Sequence, residues 1–464
     1  MRIWLRGFTM ARKVRIGLIM GIIISISFVI VAHAEGGGQK EEKLVLTLQQ
    51  LIDMAIEKSP EIGERRSEIV AARSELEQVK GGYYPQVESI ALIGPAEDAK
   101  RPVVGGTRIY DPSPEGVGIF GRFDFTISQP LYTFGKLSNR KEAASRGVKV
   151  KEYKLLEKKY EIVLRVKQLY YALILARAGI DAAGNATAFF DDARNRMTRL
   201  LELGSSNVTE SDLYRVDAYQ ADTIRSQAEA EKGVKVTYFA LKSLINLPPG
   251  AEFDVREKTL AMEEVQADLK SYIQRALEER PEFKQLEEAL AAQESLARAV
   301  RSDLYPSFFV ALEGSLAGAP NRETLHNPYI PDEFNHANVG VVAGIKWNFD
   351  FSLRPKVDKE QAEYQKLLHT RATGRLNIPI QVVKSYQEVR EWKVAVDAYN
   401  KAAIASRKWV VTALTNFDMG VGTADDMLRA IEKYGQNQGK YLEALFNYNL
   451  SLAELKYAAG MKDW

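Results

Sequence analysis

No cysteine occurs in the 464 residues, which excludes disulfides, thiolate metal sites and a lipidated N-terminal cysteine. Histidine is nearly as scarce: His33, His326, His336 and His369 are the only ones, too thin a supply for a zinc or haem centre. Neither charge dominates, with 63 Lys and Arg against 61 Asp and Glu. Beyond the leader no uninterrupted run of about 18 apolar residues occurs, so no helix is expected to cross a membrane.

What is present begins with a secretory signature. Arg2, Arg6, Arg12, Lys13 and Arg15 precede an apolar run over 16–31, and Ala32-His33-Ala34 offers a cleavage site after Ala34. A membrane anchor is the competing reading; it loses because the run is only about 16 residues and ends at that cleavage pattern. Loss of a signal peptide at 1–34 removes five bases and no acid, leaving 58 bases against 61 acids. That slightly acidic balance argues against a nucleic-acid partner.

The chain is written twice. "AIEKSPEI" at 55–62 recurs as "ALEERPEF" at 276–283, and Tyr84-Pro85 recurs as Tyr305-Pro306 at the same offset. Further on, Val166, Tyr170 and Leu173 match Val382, Tyr386 and Val389. The reading is a first structural repeat over 35–249, an irregular connector over 250–265 and a second repeat over 266–464.

Each repeat has the same order of elements. Helical apolar spacing runs over 48–80, with Thr47 and Gln50 as a capping box, until Tyr84-Pro85 stops it. Period-two segments follow: Val117, Ile119, Phe123, Phe125 and Ile127 face one way, Gly118, Arg122, Asp124, Thr126 and Ser128 the other. In the second repeat alternation runs from Val339 to Phe351, Phe308, Val310, Leu312 and Leu316 form a further strand, and a weaker one begins at Gln86. Two strands per repeat, four in all, are expected, with polar surface loops at 94–116 and 318–338. Long helices over 137–203 and 357–419 would each span roughly 95–100 Å and return as helices of about 35–40 residues. Pro355 suits a first turn, whereas Pro379 should kink the second long helix.

On strand pattern alone, a half-buried sheet in a soluble exported protein competes with barrel strands that have a lipid face and a lumen face. Aromatics at the strand ends, Tyr84, Tyr132, Tyr305, Trp347 and Phe349 among them, favour an interfacial girdle and the barrel. Four strands cannot close a barrel and open edges are not tolerated in a bilayer, so several copies must contribute. Helical hairpins about 100 Å long likewise need partners along their length.

These residues resemble the TolC-like outer-membrane efflux proteins. The likeness rests on "LTLQQLIDMAIEKSPEI", on Tyr-Pro after each first helix, on "SQPLYTFGK" at 128–136, and on a repeated G-x-x-[ST]-x-x-D-x-L turn. "WNFDFSLRPK" and Pro379 depart from the family pattern. The resemblance implies a mainly α fold with a transmembrane β-barrel contribution: four strands per chain, a 12-stranded barrel as a homotrimer, and coiled-coil hairpins forming a periplasmic tunnel. It places the connector in an equatorial belt and the protein in the outer membrane, in contact with lipid. It implies an exit duct for drugs, metals, other small molecules or proteins, docked to a periplasmic adaptor and an inner-membrane pump, without cofactor or catalysis. A soluble periplasmic adaptor with coiled-coil hairpins is the alternative; such a protein would carry one hairpin rather than two in a duplicated chain.

Two turns hold the remaining candidates. "LGSSNVTESDL" at 203–213 and "MGVGTADDML" at 419–428 place Gly204, Thr209 and Asp212 in parallel with Gly420, Thr423 and Asp426. A glycine closing one helix and a Thr-x-x-Asp box opening the next explain these residue types, and as hairpin tips they would be the adaptor-docking ends. A phosphate cradle is disfavoured, because no strand precedes the glycines and no lysine follows. Paired-carboxylate catalysis lacks a pocket and a neighbouring histidine. Copies around an axis would also set Asp425 and Asp426 at a tunnel mouth, as a gating ring of carboxylates; the resemblance implies a second acid three residues after Asp426 in some members, and Arg429 occupies that position here.

Overall fold

A computed structural model describes residues 44–98, 103–104, 107–108, 116–248 and 250–462. The signal segment 1–34, its cleavage at Ala34 and most of the loop at 94–116 lie outside them.

In chain order the elements are β1 (Leu44–Leu46), α1 (Leu48–Lys58), α2 (Pro60–Gly81), β2 (Gln86–Glu97), β3 (Val103–Val104), β4 (Thr107–Arg108), β5 (Val117–Tyr132), α3 (Lys136–Glu202) and α4 (Glu210–Leu244). After β6 (Phe253–Val255) the order repeats as α5 (Leu269–Glu279), α6 (Pro281–Arg301), β7 (Ser307–Gly318), β8 (His336–Lys346), α7 (Leu353–Asp418) and α8 (Ala424–Ala458). Four strands, the two per repeat that the alternation predicts, form one sheet, antiparallel throughout and in the order β2-β5-β7-β8. With 67 and 66 residues, α3 and α7 each run about 100 Å.

Several expectations need correction. The helix expected over 48–80 is two helices, because Ser59 stands in extended backbone before Pro60 (φ −65°, ψ 125°), and Arg280 repeats this before Pro281. The connector 250–265 is not wholly irregular: β6 pairs with β1 and buries Phe253 and Val255. The last strand ends at Lys346 rather than Phe351. There Asp350 accepts the Ser352 amide at 2.8 Å and turns the chain into α7. That helix continues unbroken across Pro379.

Three apolar cores hold the helices. One lies mainly in the first half of the chain, packing Leu51, Ile52 and Ala55 on Val166, Tyr170 and Leu173, with Phe253 of β6 and Ala453 of α8 joining it. A second belongs to the second repeat, around Tyr272, Val382, Val389 and Tyr448. The third is shared at the hairpin tips, where Phe190, Met197 and Val216 meet Val410, Phe417, Met427 and Ile431. Among the described residues no helix is long and apolar enough to cross a membrane.

Candidate functional site: the sheet faces and the hairpin tips

Register fixes which side chains share a face of the sheet. Val87, Ile127, Leu312 and Val341 are cross-strand neighbours, as are Ala91, Phe123, Leu316 and Ala337, giving one apolar face. The intervening rows join Glu88, Thr126 and Glu313, then Ile90, Asp124, Ser315 and Asn338, then Leu92, Arg122, Ala317 and His336. The apolar face is open to its surroundings, with Ile93 86% and Val341 73% exposed. Such a face is stable in water only if something covers it, whereas lipid tails would cover it directly. The outer strands β2 and β8 also leave a row of unpaired backbone groups at each edge of the sheet.

The girdle residues Tyr84, Tyr132, Tyr305, Trp347 and Phe349 are all exposed. They do not bracket the sheet; all five lie at its helix-bearing end. Antiparallel pairing sets the starts of β2 and β7 beside the ends of β5 and β8, so residues from four chain segments gather at one level. Phe134 links two of them, its ring 4.8 Å from Tyr132 and 5.3 Å from Tyr305, while Trp347 and Phe349 lie 4.4 Å apart. A single belt of this kind suits one membrane–water boundary.

Both tips are built by the same local chemistry. Gly204 (φ +73°) and Gly420 (φ +76°) hold the left-handed conformation that ends each long helix. The amides of Gly204 and Ser205 return to Leu201 and Leu200, and those of Gly420 and Val421 to Phe417 and Asn416. These are two Schellman closures. Gly422 serves a close approach: a Cβ there would lie 2.8 Å from the Phe417 nitrogen, and its amide donates to Asn416 as well. The three amides over 420–422 are thus occupied by helix-terminal carbonyls, which leaves none to cradle a phosphate.

The acids differ between the tips. Asp212 accepts the Thr209 amide at 3.0 Å and its hydroxyl at 2.9 Å, completing a capping box. At the second tip the Thr423 hydroxyl accepts the Asp426 amide at 3.2 Å, and no reciprocal bond from the Asp426 carboxylate forms. Asp425 is ion-paired twice, with Arg215 across the hairpins and with Arg429 at 2.8 Å. The Asp425 carboxylate holds the Arg215 guanidinium above its ordinary pKa. A second cross-hairpin pair joins Arg196 to Asp418. Asp426 is half-buried and, among the described residues, has no ion-pair partner. Sequence alone paired Asp425 with Asp426; the structure separates them into a cross-linked acid and a free one. Arg215 escaped notice because its partner is 210 positions away and no local spacing signals it. Among the described residues no three His, Asp or Glu side chains converge as a metal site.

The "outer membrane efflux protein" family model matches residues 51–246 and 272–461, both repeats in full order. Among solved structures, the outer-membrane channel OprN superposes with a TM-score of 0.74 at 16% identity, over 89% of each chain. CusC, a transmembrane channel, gives 0.75 at 17% identity over 92% of this chain and 95% of its own. The Campylobacter jejuni CmeC outer membrane channel gives 0.72 at 15% identity over 94% of each. At these identities the likeness speaks for the fold. Among curated proteins nothing matches.

Proposed function

Since the chain belongs to the outer membrane efflux protein family, and is therefore an efflux channel of the outer membrane, we propose that three copies close its sheet and hairpins into one continuous duct. The observation that carries this reading is the four-stranded sheet itself: apolar on one face, polar on the other, with two unsatisfied edges. Three such sheets joined edge to edge give twelve strands and leave no edge in the bilayer. Repeats 35–249 and 266–464 would each supply half of a protomer's wall, with the connector 250–265 in a belt around the helices.

The tips are the end at which a periplasmic adaptor and an inner-membrane pump would dock, the pump setting which molecules enter. Asp426 is the carboxylate best suited to line the mouth, because Asp425 is neutralised by Arg215 and Arg429. Three copies of Asp426 would form a ring that favours cations. The soluble-adaptor alternative draws no support from two hairpins in a duplicated chain of this family.

Detergent extraction of the outer membrane followed by mass measurement should return a trimer; a soluble monomer would sink the reading. In single-channel recordings, Asp426→Ala should weaken block by divalent cations several-fold, whereas Asp212→Ala should leave it unchanged. Equal block in wild type and Asp426→Ala removes the gate assignment alone.

A further inference from the structure

The β7–β8 connection over 319–335 is not an open surface loop. The Ala319 amide donates to the Asn335 side chain at 2.8 Å and ties its ends together. The Asp332 carboxylate accepts the amides of Leu325 at 2.7 Å and of Phe334 and Asn335 at 3.0 Å each. A loop ordered in this way sits on a definite side of the sheet, and strand parity identifies that side.

Gly118, Phe120, Arg122 and Asp124 share one face of β5, the face that also carries Glu88 and Glu313. The loop lies against the outermost two of them, Gly118 and Phe120. Asn321 fills the space over Gly118, where a Cβ would come within 2.6 Å of its side-chain nitrogen. Phe334 meets Phe120 edge-to-face at 5.4 Å, and the Arg322 guanidinium lies 3.9 Å over the Phe334 ring while donating to the Glu97 carbonyl at 3.0 Å. At the foot of the loop the His336 ring lies 2.8 Å from the Ser315 hydroxyl, which donates to Asp124 at 2.6 Å. On the opposite parity Val117 and Ile119 are 72% and 71% exposed, so the loop leaves the apolar face bare and covers the outer end of the polar one.

In a barrel the polar face is the lumen. We propose that 319–335 is a lid seated in the outer mouth of the duct, a second constriction at the end opposite the hairpin tips, with Phe120, Phe334 and Arg322 as its seat. The inference rests on the channel reading above. Three lids around one axis would narrow the mouth, and the aromatic–guanidinium stack would set how readily each lifts to let cargo pass.

The test is single-channel conductance of purified protein in planar bilayers. Phe334→Ala with Arg322→Ala removes the seat and should raise conductance at least about two-fold. Adding Gly118→Cys with Asn321→Cys to that variant, in a chain otherwise free of cysteine, allows an oxidised tether that returns conductance to the wild-type value until a reductant is added. The cysteine pair is also made in the wild-type background, where a disulfide must form if the lid is seated. A pair that stays reduced there, or an unseated variant that conducts like wild type, overturns the proposal. Wild-type protein that conducts at all upholds the channel reading, so failure of the lid and failure of the channel are read separately.

Discussion

At the first tip Asp212 folds back onto Thr209 and completes a box; at the second, Thr423 accepts one amide and the neighbouring acids turn elsewhere. The two turns carry the same glycine and the same Thr-x-x-Asp, yet Asp426 stands six positions after Gly420 whereas Asp212 stands eight after Gly204. The shorter turn brings Gly422 hard against the end of α7 and points Asp425 at Arg215 of the other hairpin. A duplicated motif has thus kept its role as a helix terminus in both copies. Only in the second is the carboxylate of the Thr-x-x-Asp motif left without a structural partner. That difference, rather than the presence of acids, is what makes Asp426 the candidate for the mouth.

The comparison can be broken at several levels. The largest effect is expected in the matched cores. Val166 and Val382 are both wholly buried, and a charge at either position costs about 4 kcal/mol or more. Val166→Asp and Val382→Asp should each abolish recovery of folded protein from the outer membrane. Tolerance of one but not the other would show that the halves are not equivalent supports. Next, Gly422→Ala forces a Cβ onto backbone that cannot give way, with a penalty of about 1–3 kcal/mol. Gly204→Ala meets open space and should cost only the left-handed strain, about 1–2 kcal/mol. The drop in thermal midpoint of the solubilised protein should therefore be larger for Gly422→Ala; the reverse order would mean that the shorter turn can relax.

The smallest effect concerns half-buried carboxyls away from the tips, Glu157 on α3 and Glu454 on α8. Burial pushes both above the ordinary glutamate value near 4.5, with Glu282 and Glu161 adding to it at Glu157 and Glu388 at Glu454. A carboxyl whose folded pKa is raised takes up its proton more readily in the folded state. Stability is therefore gained as pH falls through the raised value towards the unfolded value near 4.5, and is lost as pH rises back through the raised value. Glu157→Gln should raise the thermal midpoint slightly at pH 7, and the gap should close towards pH 4.5. A gap that widens on acidification would mean that the carboxylate is stabilised by Lys154 and Lys158 instead.

Much of this was legible because it is local or periodic. The Tyr-Pro pairs, the two-residue alternation and the long apolar spacing each report on neighbours within a turn or a strand, so element order and the two faces of the sheet followed from them. Thr209 and Asp212 announced their box for the same reason. The breaks at Pro60 and Pro281 were visible as prolines but hidden inside strong helical spacing on both sides. The three-residue strands β1 and β6 could not be seen, since their pairing spans about two hundred positions and each is too short to show alternation. The loop at 318–338 reads as a polar surface segment, and composition does not say to which side of a sheet such a segment folds.

By itself, then, the sequence determined the duplication, the helix ends, the alternating strands and the likeness to a family of outer-membrane ducts, because each depends on residues close together along the chain. Tertiary structure alone decided that Asp425 is paired with Arg215, that Tyr84, Tyr132, Tyr305, Trp347 and Phe349 gather at one end of the sheet, and that Phe334 reaches Phe120. Those outcomes depend on register and on contacts between distant segments, where the free energy lies in which surfaces meet and not in which residues follow one another.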